Sequence, residues 1–338
     1  MTTMSTHTFG TRGLSPVRID VFAEPAERLE IVGLASEAAK REAQVRVRCA
    51  CERAGFDPRA RVTVRPHHAG SVTLDLAIAL AALGASGALG DRPLPAVFGA
   101  LGLDGTIGPV RGLFAALAGV EGTAIVPTSQ RWEAGLTRGP AWHAARLDDV
   151  VEWTRDAWDL AEVEPRAPEL CRLEFLAGPP RECLVGPKSL LLVGPHGSGA
   201  TRTARRIAAQ LQVPEPSVVW DAFAIWSKAG LLPTHDSSMS IPFRAPHHTV
   251  SDAGLVGSGE RPGEVSLAHG GCLYLDEVSE FRRSAMNALR DERFAFPGAP
   301  QIIIGSCTPK ELPRARSLYP WTREFDLEEA IRLEGAAS

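Results

Sequence analysis

The stretch Ser189-Leu-Leu-Leu-Val-Gly-Pro-His-Gly-Ser-Gly-Ala-Thr201 decides the fold of the second half of the chain. Leu190 to Val193 form a short apolar run of the kind that becomes a buried parallel strand, and the glycines after it mark a tight loop. From Thr201 to Leu211, the residues Ala204, Ile207, Ala208 and Leu211 recur on one helical face. Strand, glycine-rich loop and helix, in that order, are the context required of a phosphate-binding loop, G-x-x-x-x-G-K-[ST]. Gly194 and Gly199 stand at its glycine positions with Gly197 between them, and Thr201 stands where a hydroxyl meets Mg²⁺. The lysine position holds Ala200. The missing ammonium is an attraction of roughly 4 kcal/mol at about 4 Å in an effective dielectric near 20, before desolvation reduces it. That is up to roughly a thousandfold in binding. Arg202 lies about 200° around the helix from Ala200, and Lys188 precedes the strand at its far end, so neither is expected to replace the lysine.

A second stretch, Gly263-Glu-Val-Ser-Leu-Ala-His-Gly-Gly-Cys-Leu-Tyr-Leu-Asp-Glu-Val-Ser-Glu-Phe281, carries another apolar run, Cys272 to Leu275, which ends in Asp276 and Glu277. Carboxylates at the carboxyl end of a parallel strand sit where open α/β sheets hold ligands. The first can hold Mg²⁺ and the second can polarise a nucleophilic water. Taken alone, the pair reads as an ordinary strand end with two solvated acids.

The chain has 338 residues, enough for two domains with separate cores, and 44% of them are hydrophobic. No apolar run approaches the roughly 20 residues of a membrane span, and the first residues lack the apolar segment of a secretory signal. A cytoplasmic location is therefore expected. Cys49, Cys51, Cys171, Cys183, Cys272 and Cys307 lie scattered without metal-ligand spacing and read as buried or free thiols. A net charge of −4 gives no global attraction to nucleic acid. The 32 arginines against 4 lysines reflect an Ala-, Gly- and Arg-rich composition more simply than phosphate recognition.

In the first half, Val17–Phe22 alternates with period 2 and Leu29–Leu34 follows a turn at Pro25, so the domain is expected to open as two strands. Helices are expected over 36–53, 74–83, 111–118 and 147–161, and strands over 61–65, 96–103 and 123–126. This mixture predicts an α+β domain over residues 1–165, a linker at Glu164–Pro168, and an α/β domain over 166–338. Lys40, Arg41, Arg46, Arg48, Arg53, Arg59, Arg61 and Arg65 form a basic cluster. It reads as a solvated face rather than a nucleic-acid surface, because no aromatic residues are interleaved to stack bases. His67-His68 reads as part of a Gly/Pro loop, not as a base beside Ser71.

Ile241-Pro-Phe-Arg-Ala-Pro-His-His248, Gly254-Leu-Val-Gly257, Pro262-Gly-Glu-Val-Ser-Leu-Ala-His269 and Leu273-Tyr-Leu-Asp-Glu277 together resemble the magnesium-chelatase-like AAA+ proteins of the ComM/YifB type. Ile31–Leu34, Arg46–Arg48, Ala54–Phe56 and Asp75–Leu80 are similar to that family's amino-terminal domain. The resemblance implies an α/β AAA+ P-loop core preceded by an α+β domain like ribosomal S5 and Lon protease. It also implies a ring-forming ATPase, with ATP and Mg²⁺ held by Gly194, Gly197, Gly199, Ala200, Thr201 and Asp276, and Thr201 and Asp276 on the metal. Glu277, Thr308 and Arg323 would be the catalytic positions. Thr308 occupies the place of the family's γ-phosphate-sensing asparagine, and Arg323 stands one residue out of register with its trans-acting arginine.

The family's hairpin insertion is nearly absent between Arg290 and Gln301, and with the sequence ending at Ser338 the family's lid domain and second sensor are expected to be missing. His247-His248 belong to the signature and are expected to be structural. His196 is expected to fill a variable loop position, and His269 to order the loop before the carboxylate strand. By the Lon likeness Ser71 falls near a nucleophile position, but its partner position falls near Arg111, which cannot act as a general base. These departures lead to a degenerate member that binds ATP and Mg²⁺ weakly and serves as a scaffold or regulatory subunit in a homo- or hetero-oligomer. The alternative is an active ATP-dependent DNA motor.

Overall fold

The computed structural model describes residues 4–68, 74–172, 188–232, 238–259, 261–292, 294 and 296–327. They fall into two compact units, one built from the chain up to Ala167 with a return at Gly230, the other from Pro168–Ala229 and from Ser238 onward. That return was not expected from the sequence.

The first unit runs β1 (Met4–Arg12), β2 (Ser15–Pro25), β3 (Glu30–Leu34), α1 (Glu37–Arg53), β4 (Ala60–His68) and α2 (Asp75–Ala85). It continues with β5 (Ala96–Val97), β6 (Ala100–Leu101), β7 (Ile107–Gly108), α3 (Leu113–Leu117), β8 (Ala124–Pro127) and α4 (Arg131–Gly135). It closes with β9 (Ala141–Ala144), α5 (Leu147–Thr154) and β10 (Ala161–Glu162). Eight strands form one mixed sheet in the order β10-β9-β8-β5-β1-β2-β4-β3. α2 buries every residue from Asp75 to Leu83, as an apolar helix must when sheet and helix enclose it. Its neighbours in the core include Ile19, Val21, Ile31, Val62 and, from α1, Ala43 and Val47. α1 starts at Ser36, whose hydroxyl accepts from the Ala39 N–H at 3.1 Å.

Three expectations change here. The chain opens with β1, because the inward positions of that strand are Thr6 and Thr8, buried β-branched residues that leave no hydropathy alternation to read. The expected helix over 147–161 ends at Thr154, and Asp156 with φ 58° turns the chain away. His67 and His68 belong to the end of β4 and not to a loop. Ser71 lies outside the described residues.

The second unit comprises β11 (Glu169–Cys171), β12 (Ser189–Val193), α6 (Ala200–Ala209), α7 (Pro216–Ala229), β13 (Ser238–Ser240) and β14 (Phe243–Arg244). α8 (Asp252–Val256), α9 (Glu264–Leu267), β15 (Cys272–Leu275), α10 (Arg283–Arg290), β16 (Ile302–Cys307), α11 (Leu312–Leu318) and β17 (Arg323–Asp326) follow. Its main sheet is β14-β15-β16-β12-β17, and every pairing in it is parallel. β12, β15 and β16 are buried along their whole length, which is why they read as unbroken apolar runs. α6 turns Ala204, Ile207 and Ala208 onto Leu190, Leu192, Tyr274 and Ile304. Residue 305 in β16 is glycine because the Trp321 ring lies where a β-carbon would be. Among the described residues no helix is long and apolar enough to cross a membrane.

Candidate functional site

The carboxyl ends of β12, β15 and β16 converge. A cavity of about 380 Å³ opens there, lined by Gly194–Arg202, Asp276, Glu277, Ser306, Cys307, Thr308 and Glu311. The sequence-predicted residues Gly194, Gly197, Gly199, Ala200, Thr201, Asp276, Glu277 and Thr308 therefore share one cavity. Arg323 does not line it. It pairs with Leu190 at the start of β17, while Val193, next to the loop, pairs with Asp326.

Gly197 (φ 81°) and Gly199 (φ 87°) carry the chain round the loop in left-handed conformations, with open space where side chains would stand. Their backbone angles, and no crowding, call for glycine. Gly199 caps α6 and Ala200 is its first residue, so the lysine position lies in the first helical turn, where N–H groups lack helical partners.

Asp276 is the most heavily held group of the site. Its Oδ1 accepts from the Tyr274 hydroxyl at 2.7 Å and from the Ser306 hydroxyl at 2.6 Å, and its Oδ2 stands 3.4 Å from the Thr201 hydroxyl. Burial first, and then the Asp276 carboxylate, push the Tyr274 phenol well above its usual range against the opposing pull of Ser306 and Thr201, so it remains a donor at neutral pH. Glu277 adopts φ 51°, uncommon for a side-chain-bearing residue, and the Ser306 hydroxyl accepts from its N–H at 2.9 Å. Ser306 thus holds both acids at once. Across the cavity, His196 Nδ1 lies 3.6 Å from Glu277 Oε1.

Thr308 is engaged with Glu311. Its N–H and hydroxyl donate to Glu311 Oε2 at 3.0 and 2.8 Å. The Thr308 N–H is the main cause that holds the Glu311 carboxyl below its usual range, with the Thr308 hydroxyl also contributing. Glu311 and Ser306 were not among the expected site residues. Thr308-Pro-Lys-Glu311 has the Thr-x-x-Glu spacing of a capping box, which is the signal that could have pointed to Glu311. Arg202, expected off the loop by helical phase, is among the lining residues and is the one permanently charged cation among those described.

The FR-x-PHH and PGE-x-SLAH signatures are tied to each other by residues that do not line the cavity. Arg244 Nε and Nη2 donate to the two Glu264 oxygens at 2.7 and 2.8 Å, a forked pair that fastens β14 to α9. The His247 and His248 rings lie 4.0 Å apart, and His269 Nδ1 accepts from the Ala299 N–H at 3.0 Å. Among the described residues no three His, Cys, Asp or Glu side chains gather as a metal cluster. For Mg²⁺ the site offers the Asp276 carboxylate and the Thr201 hydroxyl. That donor set suits an ion which keeps several waters and takes further oxygens from phosphates.

A parallel α/β core with a glycine-rich loop facing two strand-end acids is consistent with a magnesium-chelatase-like AAA+ fold. Residues 182–292 match the family model described as magnesium chelatase, subunit ChlI, and residues 17–129 match that of subunit ChlI of Mg-chelatase. The uncharacterized protein YifB of Salmonella typhimurium is 31% identical over 392 residues, covering 97% of this chain and 75% of the relative. Competence protein ComM of Haemophilus influenzae is 31% identical over 295 residues, covering 77% of this chain and 56% of the relative. An uncharacterized protein of Mycobacterium tuberculosis is 34% identical over 317 residues, covering 82% of this chain and 61% of that protein's length. The chain belongs to the magnesium-chelatase-like ComM/YifB family, and the sheet accords with that family's AAA+ fold.

Proposed function

We propose that this chain is an AAA+ protein with a weakened nucleotide site, a pseudo-ATPase that acts as a scaffold or regulatory subunit of a homo- or hetero-oligomer. The observation that carries this reading is Ala200 at the first position of α6, in the P-loop position that requires a lysine. Around it, Asp276, Glu277 and Glu311 face the cavity against Arg202 and the imidazole of His196. A triphosphate would bring further negative charge into a site where carboxylates already outnumber permanent cations. Thr308 adds to this, since its hydroxyl is spent on Glu311.

ATP and Mg²⁺ fit the site in part. Gly197 and Gly199 free the loop's N–H groups for phosphate oxygens, and Thr201 and Asp276 would hold the ion, which neutralises phosphate charge when bound. Tyr274 and Ser306 orient Asp276, and Ser306 also fixes the backbone of Glu277, the residue proposed to polarise a water. Calorimetry with ATP and Mg²⁺, joined to a turnover assay, tests the proposal. Weak binding with negligible turnover is expected, and robust hydrolysis lost in Glu277→Gln would overturn it.

A second reading, an active ATP-dependent DNA motor in the cytoplasm, rests on the formed contact between Thr201 and Asp276 and on the relative named as a competence protein. ATP-dependent strand translocation by the purified chain would favour it. The first unit is proposed to be the family's S5/Lon-like domain, and Arg323 to act, if at all, on the site of a neighbouring subunit.

A further inference from the structure

β3 ends the eight-stranded sheet of the first unit. It pairs with β4 on one side and, among the described residues, with no strand on the other. α1 runs beside that open edge. Ala43, Val47, Ala50 and Cys51 turn one face of the helix to the core, while Lys40, Arg41, Val45 and Arg48, spaced as one helical face, line a groove with β3. The groove measures about 970 Å³. Val32 of β3 and Val45 of α1 are 41% and 46% exposed there, on a protein that buries most of its valines.

Charge selects the occupant. Arg28, Lys40 and Arg59 are matched to Glu30, Glu37 and Asp57, and Arg48 to Glu52. Arg41 and Arg61 line the same groove, are exposed, and have no carboxylate partner among the described residues. An open strand edge, two exposed apolar side chains and two unmatched guanidinium groups match an extended, acidic chain. Nucleic acid fits less well, because no aromatic ring lines the groove to stack a base, and Glu27, Glu30, Glu37 and Asp57 would face phosphates.

We propose that this groove docks an extended acidic peptide segment of a partner protein, which adds to β3 as a further strand. It sets small apolar side chains against Val32 and Val45 and carboxylates against Arg41 and Arg61. The bulge between Val32 and Leu34 limits the added pairing to Glu30–Val32, so the contact is short and its affinity depends on the arginines.

The test is fluorescence anisotropy of the full chain with a short labelled peptide alternating glutamate and valine. A lysine–valine counterpart and a labelled single-stranded oligothymidylate serve as comparisons. The glutamate–valine peptide is expected to bind and the lysine–valine peptide to fail. The double variant Arg41→Ala, Arg61→Ala is expected to weaken binding roughly tenfold or more, and Val45→Asp to weaken it without loss of circular dichroism. No binding of the glutamate–valine peptide, or binding unchanged in the double variant, overturns the proposal. So does tighter binding of the oligothymidylate, or self-association by sedimentation that the double variant abolishes, which would assign the groove to nucleic acid or to a second copy.

Discussion

The Thr201 hydroxyl stands 3.4 Å from Oδ2 of Asp276 and 3.4 Å from the Tyr274 hydroxyl, so the first turn of α6 and the carboxyl end of β15 meet at one point. On the proposed reading the two residues for Mg²⁺ are already in contact, and the missing lysine lies one residue away, at Ala200. This contrast separates a site that has lost a charge from one that has lost its shape.

Ala200→Lys is therefore expected to strengthen ATP binding in the presence of Mg²⁺, by up to roughly a thousandfold before the cost of desolvating the ammonium. Calorimetry on the two proteins measures it. Unchanged affinity would mean that the loop cannot receive a triphosphate even with the cation restored.

Ser306→Ala removes one donor to Asp276 and the acceptor for the Glu277 N–H. Each lost bond in a half-buried network costs about 1 to 3 kcal/mol when a partner is left unsatisfied. A drop in thermal midpoint is expected, together with weaker Mg²⁺-dependent nucleotide binding. A thermal shift measured with and without MgATP distinguishes the two effects.

Gly305→Ala should destabilise the second unit by about 1 to 3 kcal/mol, because the new methyl group meets the Trp321 ring in a closed strand environment. Trp321 is anchored by its indole N–H, which donates to the Ala315 carbonyl at 3.1 Å, so it cannot move away freely. Urea denaturation followed by tryptophan fluorescence reports the change, and Gly305→Ala combined with Trp321→Leu should recover part of it.

The buried pair Arg46 and Asp75 gives the first unit a pH dependence. Arg46 Nε donates to Asp75 Oδ2 at 2.7 Å, yet burial outweighs that bond and lifts the Asp75 carboxyl to about 6. Arg46 is raised chiefly by the same hydrogen bond, so the guanidinium stays charged while the acid takes up a proton readily. The folded chain holds this proton more tightly than the unfolded one. The contribution of Asp75 is thus fully present below about pH 4 and is lost as pH rises through about 6, with a slope of at most about 1.4 kcal/mol per pH unit. Urea denaturation of the wild type and Asp75→Asn across this window should show the difference between them changing with that sign.

Much of the second unit was legible because buried parallel strands leave unbroken apolar runs: Leu190–Val193 and Cys272–Leu275 marked both sides of the cavity. The glycines at 197 and 199 were legible for a related reason, since a left-handed loop admits few other residues. Ser306 was not legible, because a serine near the end of an apolar strand has no spacing that points at Asp276, and the capping-box spacing of Thr308 and Glu311 signals a local bond without placing it at the cavity. Their roles come from strand order, which puts β16 between β12 and β15. β1 was missed because its inward side chains are threonines.

The strand order also sets a timetable for synthesis. β12 is flanked by β16 and β17, both drawn from the segment after Gln301. A nascent chain that has released β12 carries that apolar strand with both edges open until more than a hundred further residues emerge. Pairings so distant in sequence close slowly, and an open apolar edge invites association with other chains. The strand that presents the glycine-rich loop is thus among the first of its sheet to leave the ribosome and among the last to be sheltered, so this unit should depend on chaperones during translation more than the first unit, where β1 and β2 pair within one hairpin.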